Sequence, residues 1–585
     1  MDAMAAGKMI QGVQTAFQML SILKLTDSMY PPQADIITFP CYDVIVIGGG
    51  TAGCVVASRL AEDRKTQVLL IEAGGFPPFE STLPGLLVYQ KNSTADWKYT
   101  ATDFIAAESC QKNTTEILSL GKVLGGTSTV NYLIYSEGGK KDYDQWGAAA
   151  NDSNWNGESV LPYFIKSQRL EDPTIEESAD GDFYGYDGPI ILTKDRTQDA
   201  ENYLNAFEQS GQIVRDDTNF ENPVGFSPAM FNIGNGVRQG TANTYISPMK
   251  NYTNFHVLRN ALVTKIIFDK SKKAVAVQVT VDGQKFTVKA KLEIILSAGA
   301  INSPKVLMFS GIGPKEELKR QGIEVISDLP VGRNLQYQSS TILVFRFTNT
   351  RGKPASMDPG QYPATVIAGY VALNKSCDRP DYLALNYINY ASFLSLYSKL
   401  TYQFPDEVTN DLFSPCGKYR SSDQYQIMFS VLSNLNMKTR GVVSLSSTNF
   451  DDQPTINVSK YYQSSDLDNQ VKYIQDFFKI VDTPFFKEAG GEFLAPVLEE
   501  CDGLEKYSTE YWKCYAQCMG SIRPLFGGTT SLGSVVDSRL RVKGVKGLRV
   551  VDAGIMTVLP RAVLLGPTVM IGEKAADMIK EDNHL

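Results

Sequence analysis

The chain has 585 residues, enough for two domains or one interleaved pair. Apolar residues make up 43% and charged residues 21%, an ordinary globular balance. The net charge of −8 argues against nucleic acid or an anionic membrane as a partner.

Residues 1–40 read as an N-terminal helical extension. Its apolar stretch MIQGVQTAFQMLSILKL (9–25) is broken by Gln11, Gln14, Gln18 and Ser21. That pattern predicts an amphipathic helix packed on the body, not a membrane span, and no run of 18 apolar residues occurs anywhere. No clean leader pattern is visible, which is consistent with a mature or engineered form whose leader has been removed.

The folded region opens with YDVIVIGGGTAGCVVASRLAEDRKTQVLLIEAGG from residue 42. Val44 to Ile47 predict a short buried strand, followed by Gly48-x-Gly50-x-x-Gly53, a helix through Leu60, a second strand over Val68–Ile71 and then Glu72. Strand, glycines, helix, strand and acid stand in the register a dinucleotide fingerprint requires. The glycines permit a tight turn, close approach to a pyrophosphate and helix-on-strand packing, while the helix N-terminus faces the phosphates. Glu72 is placed to accept hydrogen bonds from a ribose. Cys54, on the first helical turn, reads as a packed core thiol.

Further along, Gly125-Gly126 in GKVLGGTSTVNYLIY (121–135) would let main-chain amides reach phosphate oxygens. The Tyr-rich stretch 382–404 reads as a buried strand-and-helix core, with a hydroxyl-lined apolar pocket as the alternative. Residues 440–459 alternate as strands do. Asp552 follows the apolar run LRVV and so falls at the C-terminal end of a strand, where ligands gather in such sheets.

Only two histidines are present, His256 and His584, although histidine is the usual base near neutral pH. The eight cysteines show no paired metal spacing; Cys514 and Cys518 would share a helix face, but two ligands do not make a zinc site, and no metal is expected. Six glycosylation sequons, at Asn92, Asn113, Asn151, Asn251, Asn374 and Asn457, together with the cysteines favour a secreted, disulfide-containing glycoprotein. Disulfide connectivity and oligomeric state do not follow from the sequence.

From about residue 41 to its end, the chain resembles the glucose–methanol–choline (GMC) oxidoreductase family of flavoproteins, most closely its insect members. The segments carrying the resemblance are the fingerprint, GKVLGGTSTVNYLIY, GAINSPKVLMFSGIG (299–313), ADWKYTA (95–101), DLPVGRNLQ (328–336), GLRVVDAGIM (547–556) and GPTVMIGEKAADMI (566–579). The resemblance implies FAD as cofactor. It also implies an α/β fold in which a Rossmann-like FAD domain (41–150, 230–335 and 520–585) interleaves with an α+β substrate domain (151–229 and 336–519) containing an antiparallel sheet. Carried over by position, FAD would meet Gly48, Gly50, Gly53, Glu72 and Val263 at its adenosine end, and Gly126, Thr127, Asn131, Asp552 and Ala553 at its flavin end.

The family's alcohol oxidisers place a histidine beside the flavin, followed by proline and then Gly-Thr, with a second polar residue some 40 positions later before a small residue and proline. In RPLFGGTTSLG (523–533), aligned on Gly528-Thr529, Leu525 stands at the histidine position and Phe526 at the proline position. Pro567 fixes the second site, which is Leu565. Tyr337-Gln338 replace a usual Asp-His. Losing a general base commonly costs about 10²–10⁴ in rate, and leucine leaves an alkoxide-like charge unpaired. Ordinary alcohol oxidation is therefore not expected. Leu525, Phe526, Val563, Leu564 and Leu565 would instead make an apolar front wall suited to a small apolar aldehyde or alcohol such as a terpenoid.

Three readings of function result. The first is a redox-neutral isomerase, cyclase or lyase, for which the family offers hydroxynitrile lyase as a precedent, though one that keeps its histidine. The second is an FAD-dependent alcohol oxidase or dehydrogenase using other groups, with Thr529, Asn131 or a pocket tyrosine holding substrate. The third is a secreted pseudoenzyme that binds a hydrophobic ligand. Arg561 is a further candidate for polarising a carbonyl, set against a plain surface salt-bridge role.

Overall fold

The computed structural model describes residues 27–102, 116–350, 358–458 and 465–585. The helix expected at 9–25 and the sequon at Asn113 lie outside them.

In chain order, the elements that frame the site begin with β1 (Cys41–Ile47), α1 (Thr51–Ala61), β2 (Val68–Ile71), α2 (Gly157–Ser167) and β3 (Gly225–Pro228). Next come β4 (Phe255–Leu258), β5 (Ala261–Phe268), β6 (Ala274–Val281), β7 (Gln284–Leu296), α3 (Gly299–Phe309) and β8 (Gln336–Phe347). The remainder are β9 (Thr365–Val371), β10 (Tyr382–Asn389), α4 (Ala391–Tyr402), β11 (Gln426–Asn434), β12 (Gly491–Phe493), β13 (Gly520–Gly527), β14 (Leu548–Val550) and α5 (Leu565–Asn583).

The fingerprint sheet runs β4–β2–β1–β7–β6–β5, with β14 added beside β7. β4, β2, β1, β7 and β14 are parallel neighbours, whereas β5, β6 and β7 form an antiparallel meander. β2 is buried along its whole length, as expected of a parallel strand covered on both faces, and its bounds coincide with the apolar run read from the sequence. The helix after the fingerprint is seated by glycine. A Cβ on Gly53 would fall 1.9 Å from the Gly48 carbonyl oxygen, and one on Gly572 in α5 would fall 2.8 Å from Val55 Cβ. α1 is thus pressed between the turn and α5, and Arg59 locks the pair through a fork of hydrogen bonds to Glu573.

The second sheet runs β12–β8–β11–β10–β9–β3, antiparallel throughout, and β13 also pairs with β8. β11 is buried from end to end, so the aliphatic and aromatic side chains of this sheet form the larger core. The segmentation expected from the sequence differs in two places. The strand Gly520–Gly527, assigned there to the FAD domain, is hydrogen-bonded into the second sheet. α2, assigned to the substrate domain, inserts Val160 and Phe164 into the core of the fingerprint layer and packs on α5. In both cases an apolar face was legible, but not which partner would cover it.

Cys501 and Cys514 form a disulfide beside the second sheet. No helix among the described residues is long and apolar enough to cross a membrane.

Because the Gly48 carbonyl occupies the space a Cβ would need, Gly53→Ala is expected to destabilise the protein by about 1–3 kcal/mol. Thermal unfolding of the variant beside the parent checks this, and an unchanged midpoint would show that the turn can move aside.

Candidate active site

One cavity of about 450 Å³ extends from the Gly48–Gly50 turn to β13. Its two ends differ in chemistry.

At the first end, Gly48, Gly50, Glu72, Gly126, Thr127, Val263, Asp552 and Ala553 line the wall. Gly126 lies in the left-handed region at φ 53°, and a Cβ there would come within 2.7 Å of Gly50 Cα. The two glycine turns therefore touch, which no larger residue permits. A Cβ on Gly50 would meet nothing closer than 3.9 Å, so that turn stays open toward the cavity. Gly53 is absent from the lining; its place is under the turn, so its expected cofactor contact becomes a packing role. Glu72 accepts from the Gly49 amide at 2.9 Å and the Gly74 amide at 2.7 Å, yet burial pushes its carboxyl up to about 7. The Ser297 hydroxyl on the same wall is buried and has no hydrogen-bond partner among the described residues. Asp552, at the end of β14, accepts from the Gly299 amide (2.9 Å), the Ser303 hydroxyl (2.5 Å) and the Gly554 amide (2.7 Å).

The second end is built on β13. Gln336 pairs with Gly527 and Gln338 with Arg523, so two steps along β8 span four along β13. Residues 524–526 therefore bulge. Pro524 has no N–H to give to the ladder, which makes the bulge a consequence of the sequence. The bulge presents Arg523, Pro524, Leu525 and Phe526 to the cavity. Val563, Leu564 and Leu565 line the same cavity. Leu565 is the first residue of α5, whose unpaired N-terminal amides give this end a partial positive charge. Both positions singled out by the sequence, Leu525 and Leu565, thus face one cavity, and both are leucine.

Tyr132, Tyr387, Tyr397 and Tyr402 line the same region. The Tyr132 hydroxyl donates to Thr401 Oγ1 at 3.0 Å, and the Tyr387 and Tyr397 rings stand 5.1 Å apart. Burial raises the pKa of all four phenols above the ordinary value. The Tyr-rich segment read mainly as core is therefore divided. Tyr382 is core, donating to Asp476 at 3.0 Å, whereas Tyr387, Tyr397 and Tyr402 face the cavity.

The weaker catalytic candidates move elsewhere. Thr529 is fully buried, does not line the cavity and donates to the Ala300 carbonyl at 2.6 Å. Arg561 faces a separate small pocket with Glu137, Tyr184 and Tyr370; it is buried instead of lying at the surface, and it does not reach the main cavity. Asn131 does line the cavity, but its side-chain oxygen already accepts from Arg238 at 2.5 Å and from the Leu133 amide at 3.1 Å. His256, on β4, is hydrogen-bonded to the Tyr42 hydroxyl of β1, and His584 caps the end of α5, so neither lines the site. Arg523 also lines the cavity, although it was not among the residues singled out from the sequence. Its signal was legible: it is the one charge in the stretch GSIRPLFGGTTSLG.

Two sequence profiles described as GMC oxidoreductase match the chain, over residues 42–340 and 438–572. Ecdysone oxidase of Spodoptera littoralis is 32% identical over 578 residues, covering 95% of this chain and 94% of its own. Glucose dehydrogenase [FAD, quinone] of Drosophila melanogaster is 31% identical over 562 residues, covering 92% of this chain and 87% of its own. Among solved structures, formate oxidase of Aspergillus oryzae superposes with a TM-score of 0.77 at 24% identity, covering 93% of this chain and 99% of that one. At that identity the likeness concerns the fold.

FAD fits the first end of the cavity on the structure's own terms. The touching glycine turns leave amides and the α1 N-terminus facing open space, and the Ser297 hydroxyl has no partner among the described residues. Free Glu72 titrates near 7, above its unfolded value of 4.5, so its ionisation opposes stability as pH rises between the two. Bound FAD would offer ribose hydroxyls as donors to the ionised form. FAD affinity is therefore expected to rise with pH through this window and level off above about 7, with a fraction of a proton, up to about one, released per FAD at pH 6. Calorimetry in two buffers of different ionisation enthalpy measures that release, and Glu72→Gln should abolish it.

Proposed function

The chain belongs to the GMC oxidoreductase family, whose cofactor is FAD, and we propose that it performs a redox-neutral isomerisation, cyclisation or lyase reaction on a small apolar aldehyde or alcohol such as a terpenoid. The observation that carries this reading is the composition of the second end of the cavity. Leu525 and Leu565 both line this cavity, and no histidine does. The lining carboxylates are Glu72, Asp451 and Asp552. Glu72 is spent on the fingerprint turn, Asp552 holds three donors, and Asp451 is exposed at the rim. Every lining phenol is harder to ionise than free tyrosine where a shift is seen, because burial disfavours the phenolate. Of the lining groups held near neutral pH, Glu72 is engaged by the fingerprint turn, and Lys305, pushed down to about 8 by burial, donates to the Asp452 carbonyl; neither Leu525 nor Leu565 can take a hydroxyl proton.

The wall supports an apolar substrate on energetic grounds. Each methylene moved from water onto Leu525, Phe526, Val563 or Leu564 is worth about 0.8 kcal/mol. Each sugar hydroxyl left unpaired there would cost about 1–3 kcal/mol. A hydrocarbon with one polar end therefore suits the site better than a polyol. When bound, FAD supplies a two-electron acceptor. The side chains of this wall exclude water, orient a hydrocarbon and leave polar contact to the tyrosines and Arg523.

Oxidation of an alcohol by other groups is the second reading, favoured by relatives whose names are oxidase and dehydrogenase. We also propose secretion as a glycoprotein, supported by exposed sequons at Asn92, Asn151, Asn251 and Asn374 and by the Cys501–Cys514 disulfide.

Anaerobic incubation of FAD-loaded protein with apolar alcohols and aldehydes separates the readings. An isomeric product without bleaching of the flavin is expected; bleaching by an alcohol would sink the redox-neutral reading, and neither outcome would favour a ligand carrier. In the double variant Leu525→His with Leu565→Asn, alcohol oxidation should rise by about 10²–10⁴ over the parent. Protein from a eukaryotic secretory host should lose apparent mass on enzymatic deglycosylation, and an unshifted band would contradict secretion through that route.

A further inference from the structure

Arg523 has no role in the fold that matches its position. Its guanidinium carries five N–H donors, yet the described residues give it one hydrogen bond, a long one of 3.3 Å to Ser433 Oγ. No carboxylate lies within ion-pair distance of it among the described residues. It is partly buried, and beside it the cavity is lined by Leu525, Phe526, Val563, Leu564 and the tyrosines. Holding a cation there without a counter-charge costs desolvation energy that the protein's own contacts do not offset. Tyr387 and Tyr402 stand on the same wall, carried by β10 and α4, and the positive charge of Arg523 acts on both phenols against the effect of burial. Leu525 lies two residues on, on the same bulge.

We infer that Arg523, with the hydroxyls of Tyr387 and Tyr402, is the recognition site for a negatively polarised oxygen at the end of an apolar substrate: a carbonyl, for which a carboxylate is the fully charged mimic. The inference rests on the apolar-substrate reading above and sharpens it. The hydrocarbon lies along Leu525, Val563 and Leu564, and the oxygen lies in the guanidinium fork. A planar fork suits two lone pairs of one oxygen, or both oxygens of a carboxylate, better than it suits an alcohol hydroxyl. The site would therefore select aldehydes, ketones and acids over alcohols of the same chain length.

The test is a binding measurement without turnover. Octanoate, octanamide and octan-1-ol are titrated into FAD-loaded protein while the visible flavin spectrum is followed. Octanoate is expected to bind about 10- to 100-fold more tightly than octan-1-ol, with octanamide between them. Arg523→Met should remove that advantage and leave octan-1-ol binding within about twofold, and Arg523→Lys should restore only part of it. Tyr402→Phe, a milder change, should weaken octanoate by about 3- to 10-fold. FAD content and unfolding temperature are measured for each variant. Octanoate bound no more tightly than octan-1-ol by the parent would overturn the proposal. So would octanoate affinity unchanged in Arg523→Met, or an Arg523→Met protein that loses FAD while its loaded fraction binds octanoate normally, since the arginine would then serve the cofactor. No product is formed in this experiment, so its failure is distinct from failure of the redox-neutral reading.

Discussion

The carboxylate of Asp552 ties together the pieces on which the cavity depends. One oxygen takes the Gly299 amide and the Ser303 hydroxyl, fixing the start of α3; the other takes the Gly554 amide, fixing the turn after β14. That turn then pairs with the chain leaving β13: the Gly528 amide donates to Ala553, the Thr530 amide to Gly554 and the Leu532 amide to Ile555. A parallel sheet that binds a dinucleotide is thereby coupled to a strand of a different, antiparallel sheet. Burial raises the pKa of this carboxyl despite three donors, so desolvation outweighs the hydrogen bonds. The cost of burying the carboxyl is local, and it fixes the relation between the two ends of one cavity.

The two ends were legible in the sequence to different degrees, for a physical reason. The fingerprint is a local object. Strand, turn, helix and strand are neighbours in sequence, buried on both sides, and their apolar runs fix β2 to the residue and put Glu72 at its end. Asp552 was readable for the same reason, since it follows a short apolar strand. The front wall is a product of long-range pairing. Whether Arg523, Thr529 or Arg561 faces the cavity depends on the bulge opposite β8 and on the packing of α5, and polarity along the chain carries no record of either. Thr529 and Arg561 looked available because they are polar and close to the right segment; one is satisfied by a carbonyl and the other faces a different pocket. The Tyr-rich segment was divided by β-strand alternation and helical turn, a partition that composition does not contain.

The wall itself is a balance between unlike terms. Its leucines, valine and phenylalanine reward hydrocarbon and penalise hydroxyls, whereas its one guanidinium is costly until something negative meets it. The helix end at Leu565 adds positive potential of the same sign. A site arranged in this way discriminates through a single polar contact. A substrate lacking the right oxygen loses that contact and leaves a partly buried cation without a counter-charge, which is a steeper penalty than a misplaced methyl group.

Pro524 has a consequence for how such a site changes over generations. Residues 524–526 have no partners in the ladder with β8, so their side chains can be exchanged without breaking a cross-strand bond. Within that stretch Phe526 is buried in the larger core, so the freedom to change falls on the partly exposed Leu525, while the pairing on either side of it keeps the sheet intact. The segment behaves as an interchangeable cassette. Chemistry can be lost or gained there one residue at a time, and the scaffold is not required to refold around the change.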